Sequence, residues 1–208
     1  MALKYQRILL KISGEALGGE KGMGFDEPTM DAICGGVKRA HDLGVQIGIV
    51  VGGGNFWRGR SSGKMERTLA DKIGMLATVM NALAVSDKLE QLGVPTEVFT
   101  SITMPQVAQP FTRKDALRAV EVSADVMFKA TMVDGVYDKD PHKYPDAKKY
   151  DTLTFTKVLE DQLAVMDGTA ATLCRDNKLP ILVFDLADPD NIAKAVQGEN
   201  VGTLVYEG

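Results

Sequence analysis

Cysteine and histidine are both scarce in this chain of 208 residues, which has two of each. Cys34 and Cys174 are far apart in the sequence. Two isolated cysteines cannot build a disulfide framework or a zinc knuckle, and most cysteines of this kind are small, inert core residues. The composition therefore excludes a disulfide-rich secreted domain and fits the reducing cytosol.

The sequence also lacks a long apolar run and an excess of positive charge. No apolar stretch approaches the length that crosses a bilayer, so we expect neither secretion nor a membrane anchor, but a cytoplasmic protein. The 24 Lys and Arg residues stand against 28 Asp and Glu residues, which gives a net charge of -4. That balance provides no general attraction to nucleic acid or to a membrane, so any positive potential must be local.

Strand-like apolar runs alternate with helical patterns along the whole chain. This order is typical of a mainly parallel sheet covered by helices, and the length favours one domain, residues 1–208. After a first strand near Arg7, the pattern predicts strands at 45–51, 96–102, 125–130, 181–184 and 203–206. It predicts helices at 26–43, 65–92, 112–120, 156–165, 169–178 and 188–197.

The predicted helix 65–92 carries two apolar rows. One row consists of large residues, Leu69, Ile73, Leu76, Met80 and Leu83. The neighbouring row consists of Ala70, Ala77 and Ala84. Small residues in such a row let another helix come close, so this face fits either the core or a contact between subunits.

Two strand-to-helix transitions contain glycines beside a cation. In RILLKISGE, an apolar run that contains Lys11 leads to Gly14. In IGIVVGGGNFWRG, a second apolar run leads to three glycines and Arg58. Glycine lets backbone N–H groups approach a phosphate closely, and the cation supplies charge. Neither turn has the glycine spacing of a Walker loop or of the dinucleotide-binding fingerprint. Glycine also occurs in strand-to-helix turns for steric reasons alone, without any bound phosphate.

Basic residues crowd beside the second glycine turn. They are Arg58, Arg60, Lys64 and Arg67. They either face an anionic ligand or form the solvated start of the following helix.

Six segments in order carry a resemblance to a known family: LLKISGEAL, VVGGGNFWRG, DKIGMLATVMNALA, KATMVDGVYDKDP, VMD and RDNKLPILVF. Together they resemble the bacterial uridylate kinases of the amino acid kinase superfamily over nearly the whole chain. The resemblance implies a three-layer α/β/α sandwich with a mainly parallel central sheet. It also implies transfer of the γ-phosphoryl group of ATP to UMP, giving UDP, in pyrimidine nucleotide biosynthesis.

The resemblance also implies roles for single residues. The positions that match ATP-binding residues are Lys11, Ile12, Ser13, Gly14, Gly54, Arg58, Thr131, Tyr137 and Asp140. The positions that match UMP-binding residues are Gly53 and Asp71. The catalytic positions are Lys11, Arg58 and Asp167, where the aspartate orients the phosphate-binding groups. The segment linked with allosteric activation by GTP is Gly19, Glu20, Lys21, Gly22, Met23 and Gly24.

The chemistry implied by the resemblance needs no general base. The second pKa of a phosphate monoester is about 6, so the attacking oxygen of UMP is already largely ionised. His41 and His142 accordingly lie outside every motif. No acidic cluster has metal-site spacing, so we expect Mg²⁺ to arrive with ATP. The family further implies GTP as activator, UTP as inhibitor and a homohexamer.

One departure from the family is large. Between the helix that ends near Val120 and the strand that starts at Asp125, the family has a further strand and a turn of the form GTGNPFFTTD. Here a segment near 120–123 is missing, and with it much of the UMP contact. We therefore expect the natural polypeptide to be longer than the printed sequence. A smaller departure is Met132, where the family commonly has lysine.

Two other functions remain open at this point. Related kinases of the superfamily phosphorylate carboxylates or carbamate and share both glycine turns, although Asp71 and the residues after it favour a nucleotide acceptor. The missing segment also leaves room for a non-catalytic nucleotide-binding storage or regulatory protein on the same fold.

Overall fold

The structure is a computed structural model that describes residues 3–57, 65–111, 124–161, 163, 166 and 168–208. The predicted helix 112–120 lies outside the described residues. The strands are β1 Arg7–Ile12, β2 Gln46–Val51, β3 Phe99–Thr100, β4 Gln109–Pro110, β5 Val126–Thr131, β6 Val136–Tyr137, β7 Lys149–Tyr150, β8 Thr152–Thr154, β9 Ile181–Asp185 and β10 Gly202–Tyr206. The helices are α1 Gly14–Leu17, α2 Glu27–Asp42, α3 Arg67–Gln91, α4 Phe155–Glu160, α5 Gly168–Asp176 and α6 Asp190–Gln197, with a 3₁₀ turn at Gly19–Lys21.

Six strands form the central sheet in the order β2-β1-β5-β9-β10-β8. The first four are parallel to one another. Strand β10 runs antiparallel to β9, and β8 runs parallel to β10. The prediction of a mainly parallel sheet is therefore confirmed.

Helices cover both faces of this sheet. On one face, Ile8, Leu10 and Ile12 of β1 have no exposed surface and pack in a core that includes Ile33 of α2 and Ile192 of α6. A second core on the other face joins residues of β9 to α4 and α5; it includes Ile181, Val183, Phe155, Val158 and Cys174. The two cores make three layers, as the α/β/α prediction requires.

The boundaries of α2 follow from local chemistry. The side chain of Asp26 accepts a hydrogen bond from the backbone N–H of Thr29 at 3.0 Å, which caps the first turn, and Pro28 lies inside that turn. The same hydrogen bonds, led by that from the Thr29 hydroxyl, lower the pKa of Asp26. The helix stops before Gly44, whose φ of 91° few other residues adopt.

The structure shows which of the two apolar rows of helix α3 faces the core, a point that the sequence left open. Ala70 and Ala77 are buried, whereas Leu69, Leu76 and Met80 of the large row are about half exposed. The row of small residues therefore packs inward and the row of large ones faces outward.

The length of α3 corrects one expectation. By length and composition this 25-residue helix could cross a membrane, although we expected no apolar stretch of that size. Core helices of soluble proteins pass the same test of length and composition.

The region after α3 is less regular than predicted. Only Phe99–Thr100 of the expected strand 96–102 pairs, and it pairs with β4. The hydroxyl group of Thr96 bonds with Ser86 of α3 at 2.5 Å, which holds the start of this segment against the helix. A cavity of about 480 Å³ separates β2 from residues 94–99.

Two further differences lie on the other side of the sheet. The predicted helix 156–165 ends at Glu160, after which Leu163 donates to the carbonyl of Val158 at 3.0 Å. The polar loop between β5 and β8 contains an unpredicted hairpin, β6 and β7.

Candidate functional site

The two glycine turns predicted from the sequence touch each other at the carboxyl ends of β1 and β2. The backbone N–H of Gly52 donates to the carbonyl of Ile12 at 3.0 Å. A Cβ atom at Gly14 would lie 2.7 Å from Oδ1 of Asn55 and 2.8 Å from the backbone nitrogen of Gly54. The turns therefore form one continuous backbone surface, and glycine at position 14 lets them approach.

Helix α3 supports the second turn. A Cβ atom at Gly53 would lie 2.5 Å from the carbonyl oxygen of Gly74 and 3.0 Å from Cβ of Ala77. Asp71, expected to bind UMP, lies about one helical turn before Gly74. Its carboxylate is exposed and 4.0 Å from the guanidinium of Arg67, so it is held only loosely.

A pair of buried asparagines fixes the turn to the helix. Nδ2 of Asn81 donates to the carbonyl of Gly52 at 2.6 Å and to Oδ1 of Asn55 at 2.7 Å. Nδ2 of Asn55 donates to the carbonyl of Gly24 at 2.8 Å and to Oδ1 of Asn81 at 3.1 Å. Sequence reasoning missed both residues. The signal available in the sequence was the amide side chain of Asn81, which lies four residues after Ala77, one of the alanines in the row of small residues.

The segment expected to respond to GTP contacts the same turn. Besides the bond from Asn55, the backbone N–H of Gly24 donates to the carbonyl of Asn55 at 2.9 Å. The rings of Phe25 and Phe56 pack edge to face with centroids 5.2 Å apart. Gly19, Glu20, Lys21, Gly22 and Met23 lie in the 3₁₀ turn and the residues after it, so this loop adjoins the expected ATP-binding turn.

The residues after Lys11 contribute in different ways. The side chain of Ile12 is fully buried in the first core, so only its backbone faces the turn. Ser13 has an extended backbone and makes no side-chain cap to α1. Its hydroxyl is thus not used by the helix.

Two lysines lie side by side near the turns. Lys11 on β1 is in register with Lys129 on β5. On its other side Lys129 is in register with Val183 of β9, which is buried in the second core. Burial, and to a lesser degree the charge of Lys11, lower the pKa of Lys129 to about 8. Sequence reasoning missed Lys129, although the alternation in β5 placed it on the face opposite Phe128.

The expected adenine-nucleotide residues follow β5. Thr131 ends that strand, and its carbonyl accepts from the N–H of Leu186 at 2.9 Å. The hydroxyl of Tyr137 donates to Asp134 at 2.6 Å, which raises the pKa of Tyr137 and lowers that of Asp134. Asp140 accepts from the N–H of His142 at 3.0 Å and pairs with Lys143, and these contacts lower its pKa.

Two expected catalytic residues, Arg58 and Asp167, lie outside the described residues. Within the part of the chain that the structure describes, no group of three His, Cys, Asp or Glu side chains is placed to hold a metal ion. The described site thus consists of the glycine turns, Lys11, Lys129 and the loop after β5. Such an arrangement can hold anionic phosphates by backbone N–H groups and two cations.

Comparison with known proteins gives a family and three closely similar folds. The profile of the amino acid kinase family matches residues 6–116 and 115–185. The structure of UMP kinase from Bacillus anthracis has a TM-score of 0.91 and 32% identity, covering 98% of this chain and 96% of its own. UMP kinase from Ureaplasma parvum has a TM-score of 0.88 and 30% identity, covering 98% and 100%. Uridylate kinase from Archaeoglobus fulgidus has a TM-score of 0.68 and 27% identity, covering 95% and 99%.

Proposed function

This chain belongs to the amino acid kinase family, among the UMP kinases, and we propose that it transfers the γ-phosphoryl group of ATP to UMP to give UDP and ADP. The observation that carries the proposal is the direct contact between the two glycine turns beside Lys11. Two phosphate-binding turns in contact can bring a donor and an acceptor phosphate together, which is the main task in phosphoryl transfer.

The reaction follows from the charges at this site. The acceptor oxygen of UMP is ionised at neutral pH, since the second pKa of a phosphate monoester is about 6. The protein must then neutralise the negative charge that spreads over the transferred group, and Lys11 with backbone N–H groups provides positive potential there. Mg²⁺ carried on the ATP phosphates supplies further neutralisation.

The residue roles in this proposal are those of the family positions. Lys11 and Arg58 bind phosphate, and Asp167 orients the phosphate-binding groups. Gly53 and Asp71 serve UMP. The remaining ATP positions are Ile12, Ser13, Gly14, Gly54, Thr131, Tyr137 and Asp140.

The proposal extends to regulation and assembly. The bonds between Gly24 and Asn55 offer a physical route from the segment 19–24 to the nucleotide site, which supports activation by GTP; inhibition by UTP is proposed with it. The exposed large row of α3 supports self-association, and we propose a homohexamer. We place the enzyme in the cytoplasm, in pyrimidine nucleotide synthesis, without nucleic-acid or membrane partners.

The test is an assay of ADP release with ATP, Mg²⁺ and one acceptor at a time: UMP, CMP, aspartate or carbamate. We expect turnover with UMP alone. Replacing Lys11 with methionine should lower kcat by about 10²–10³-fold, as the loss of one transition-state donor does. ADP formation with an amino acid and none with UMP would overturn the proposal.

A further inference from the structure

Strand β2 is an apolar strand with an open edge. It stands first in the order of the central sheet, so within the described part of the chain β1 alone pairs with it. None of its six residues is buried, and Val50 is 44% exposed. By contrast, Ile8 and Leu10 of the neighbouring β1 have no exposed surface. An uncovered apolar strand edge of this kind pairs readily with a further strand.

The hydrogen bonds of β2 show which of its backbone groups face outward. The N–H of Gly52 donates to the carbonyl of Ile12 at 3.0 Å, and the N–H of Gln46 donates to the carbonyl of Gln6 at 2.9 Å. Such bonds recur at every second residue of a parallel pair, so the even-numbered residues of β2 face β1. The odd-numbered residues direct their N–H and C=O groups to the open edge; they are Ile47, Ile49 and Val51.

The cavity of about 480 Å³ lies along this open edge. Its lining includes every residue of β2 and, on the opposite side, every residue from 94 to 99. Consecutive side chains of a strand point to opposite faces of the sheet, so a cavity lined by all of them lies beside the strand and not on one face. Helices α2 and α3 close it with apolar side chains, among them Val37, Val85 and Leu89.

The opposite wall of the cavity is a second strand edge. The N–H of Gln109 on β4 donates to the carbonyl of Val98 at 3.0 Å. Phe99, the next residue, therefore directs its N–H and C=O groups away from β4, and it lines the cavity. The hydroxyl of Thr96 bonds to two side chains of α3, which keeps this wall apart from β2. The cavity is thus a slot between two strand edges.

The slot has the direction and the width of one strand. Strand β2, helix α3 and strand β3 follow one another as a crossover, which is the connection that parallel strands need. Neighbouring strands are about 4.8 Å apart, so two strands that flank a third are about 10 Å apart. A strand in the slot would join β3 and β4 to the central sheet. Its carboxyl end would lie beside Gly52, at the second glycine turn.

We propose that the slot binds one further β-strand, an extended apolar segment that the natural polypeptide carries between β4 and β5. The connection between these two strands passes the slot, because β4 pairs with β3 on one side of it and β5 pairs with β1 on the other. Elements that follow one another in the chain are usually neighbours in space. The same connection contains the position near 120–123 at which a segment is missing.

The inserted strand runs parallel to β2 and is apolar along its whole length, as strands covered on both faces are. One of its edges pairs with Ile47, Ile49 and Val51, and the other pairs with Phe99. The inference goes beyond the proposed function and does not depend on it, because mass and hydrogen exchange are measured without turnover.

The first measurement is the intact mass of the protein isolated from the cells that make it. We expect a mass above 22.5 kDa, the mass of the chain of 208 residues, by at least a strand and a turn of about ten residues. A mass of 22.5 kDa would overturn the inference.

The second measurement is amide hydrogen exchange in β2, followed by NMR in the chain of 208 residues and in the longer natural protein. In the natural protein the N–H groups of Ile47, Ile49 and Val51 should exchange at least about 10²-fold more slowly than in the shorter chain. The N–H groups of Gly48 and Val50 are the matched control, since their bonds to β1 protect them in both proteins. Outward N–H groups that exchange equally fast in the two proteins would refute the added strand.

A peptide added to the chain of 208 residues tests the slot directly. The probe is a synthetic peptide with the sequence of the additional segment, and we expect it to slow exchange at the same three N–H groups. Its control carries N-methyl groups on alternate residues, which remove the donors to one wall. Protection by both peptides or by neither would contradict pairing in the slot.

Should the chain of 208 residues fail to fold without the strand, NMR of the natural protein decides. Contacts between the backbone of Ile49 and the additional segment support the inference, and contacts of that segment with another part of the sheet overturn it.

Discussion

At the scale of single residues, Gly14 is required by contact rather than by its backbone angle. Its φ is not in the left-handed region, yet an added Cβ would lie 2.7 Å from Asn55 and 2.8 Å from Gly54. Gly14→Ala should therefore push the two turns apart. We expect a loss of about 1–3 kcal/mol in the free energy of unfolding, measured in urea, as overpacked sites show.

Gly14→Ala should also lower ADP release with UMP, because the two glycine turns that we propose to bind the phosphates no longer meet. The matched control is Gly35→Ala in the middle of α2, where the added Cβ meets only the end of the Arg39 side chain, at 3.3 Å. Removing a glycine from a helix stabilises it by about 0.5–1 kcal/mol. If Gly14→Ala and Gly35→Ala had the same effect on stability and activity, the close contact between the two glycine turns would not be required.

Two single residues, Lys11 and Lys129, show what could and could not be predicted from the sequence. Lys11 was identifiable, since it stands at the end of an apolar run and directly before Ser13 and Gly14. Lys129 has no such local signal, because its position beside Lys11 is determined by the register of β5 against β1. A contact between residues more than a hundred positions apart depends on the sheet order, which one sequence does not determine.

At the scale of elements, Asn81 joins α3 to the second glycine turn. Asn81→Ala would leave the carbonyl of Gly52 and Oδ1 of Asn55 without these donors. Both asparagines are at most 1% exposed, so water cannot replace the bonds without rearrangement. We expect a loss of about 3 kcal/mol in the free energy of unfolding, since each buried unsatisfied polar group costs about 1–3 kcal/mol.

Asn177→Ala provides the comparison for this change. The Nδ2 atom of Asn177 donates to the carbonyl of Leu173 at 2.8 Å in an exposed setting, so its removal should change stability by less than about 0.5 kcal/mol. Urea unfolding of both variants measures the difference. Similar losses in the two proteins would mean that the asparagine pair does not hold the turn to α3.

Most elements of the sheet were predictable, and the reason is that their signals are local. Strand β1 is an apolar run that is buried from Ile8 to Leu10 and again at Ile12, with only Lys11 exposed, and α2 has an Asp26 cap, Pro28 and a terminal glycine. Helix α3 was predicted in position but not in orientation. Both of its rows are apolar, so the pattern of hydrophobicity could not decide which row the core accepts.

The predicted strand 96–102 was mostly wrong for a related reason. Its residues have strand propensity, but Thr96 bonds to Ser86 and to Glu90 of α3, and these contacts hold the segment away from β2. Propensity describes one segment at a time, whereas pairing needs a free strand edge at the right distance.

At the scale of the whole molecule, the outward face of α3 needs an explanation. Leu69 is 51% exposed, Leu76 46% and Met80 47%, and they recur at intervals of seven and four along one helix. Single exposed apolar residues are ordinary, but a continuous row on a surface marks a site of association. A second copy of the chain can cover the row by placing its own α3 against it, since a two-fold contact uses the same surface twice.

The last prediction tests this contact. The wild type should sediment as an oligomer with a mass that is a multiple of 22.5 kDa, and the double change Leu76→Glu, Met80→Glu should shift it to smaller species, because a charge buried in an apolar interface lacks a partner. Leu173→Glu is the control, since Leu173 is 64% exposed but lies on α5, away from this row. A wild-type mass of one subunit, or a variant as large as the wild type, would contradict self-association through α3. Loss of ADP release on dissociation would further show that activity depends on assembly, through the two glycine turns that rest on the inner face of the same helix.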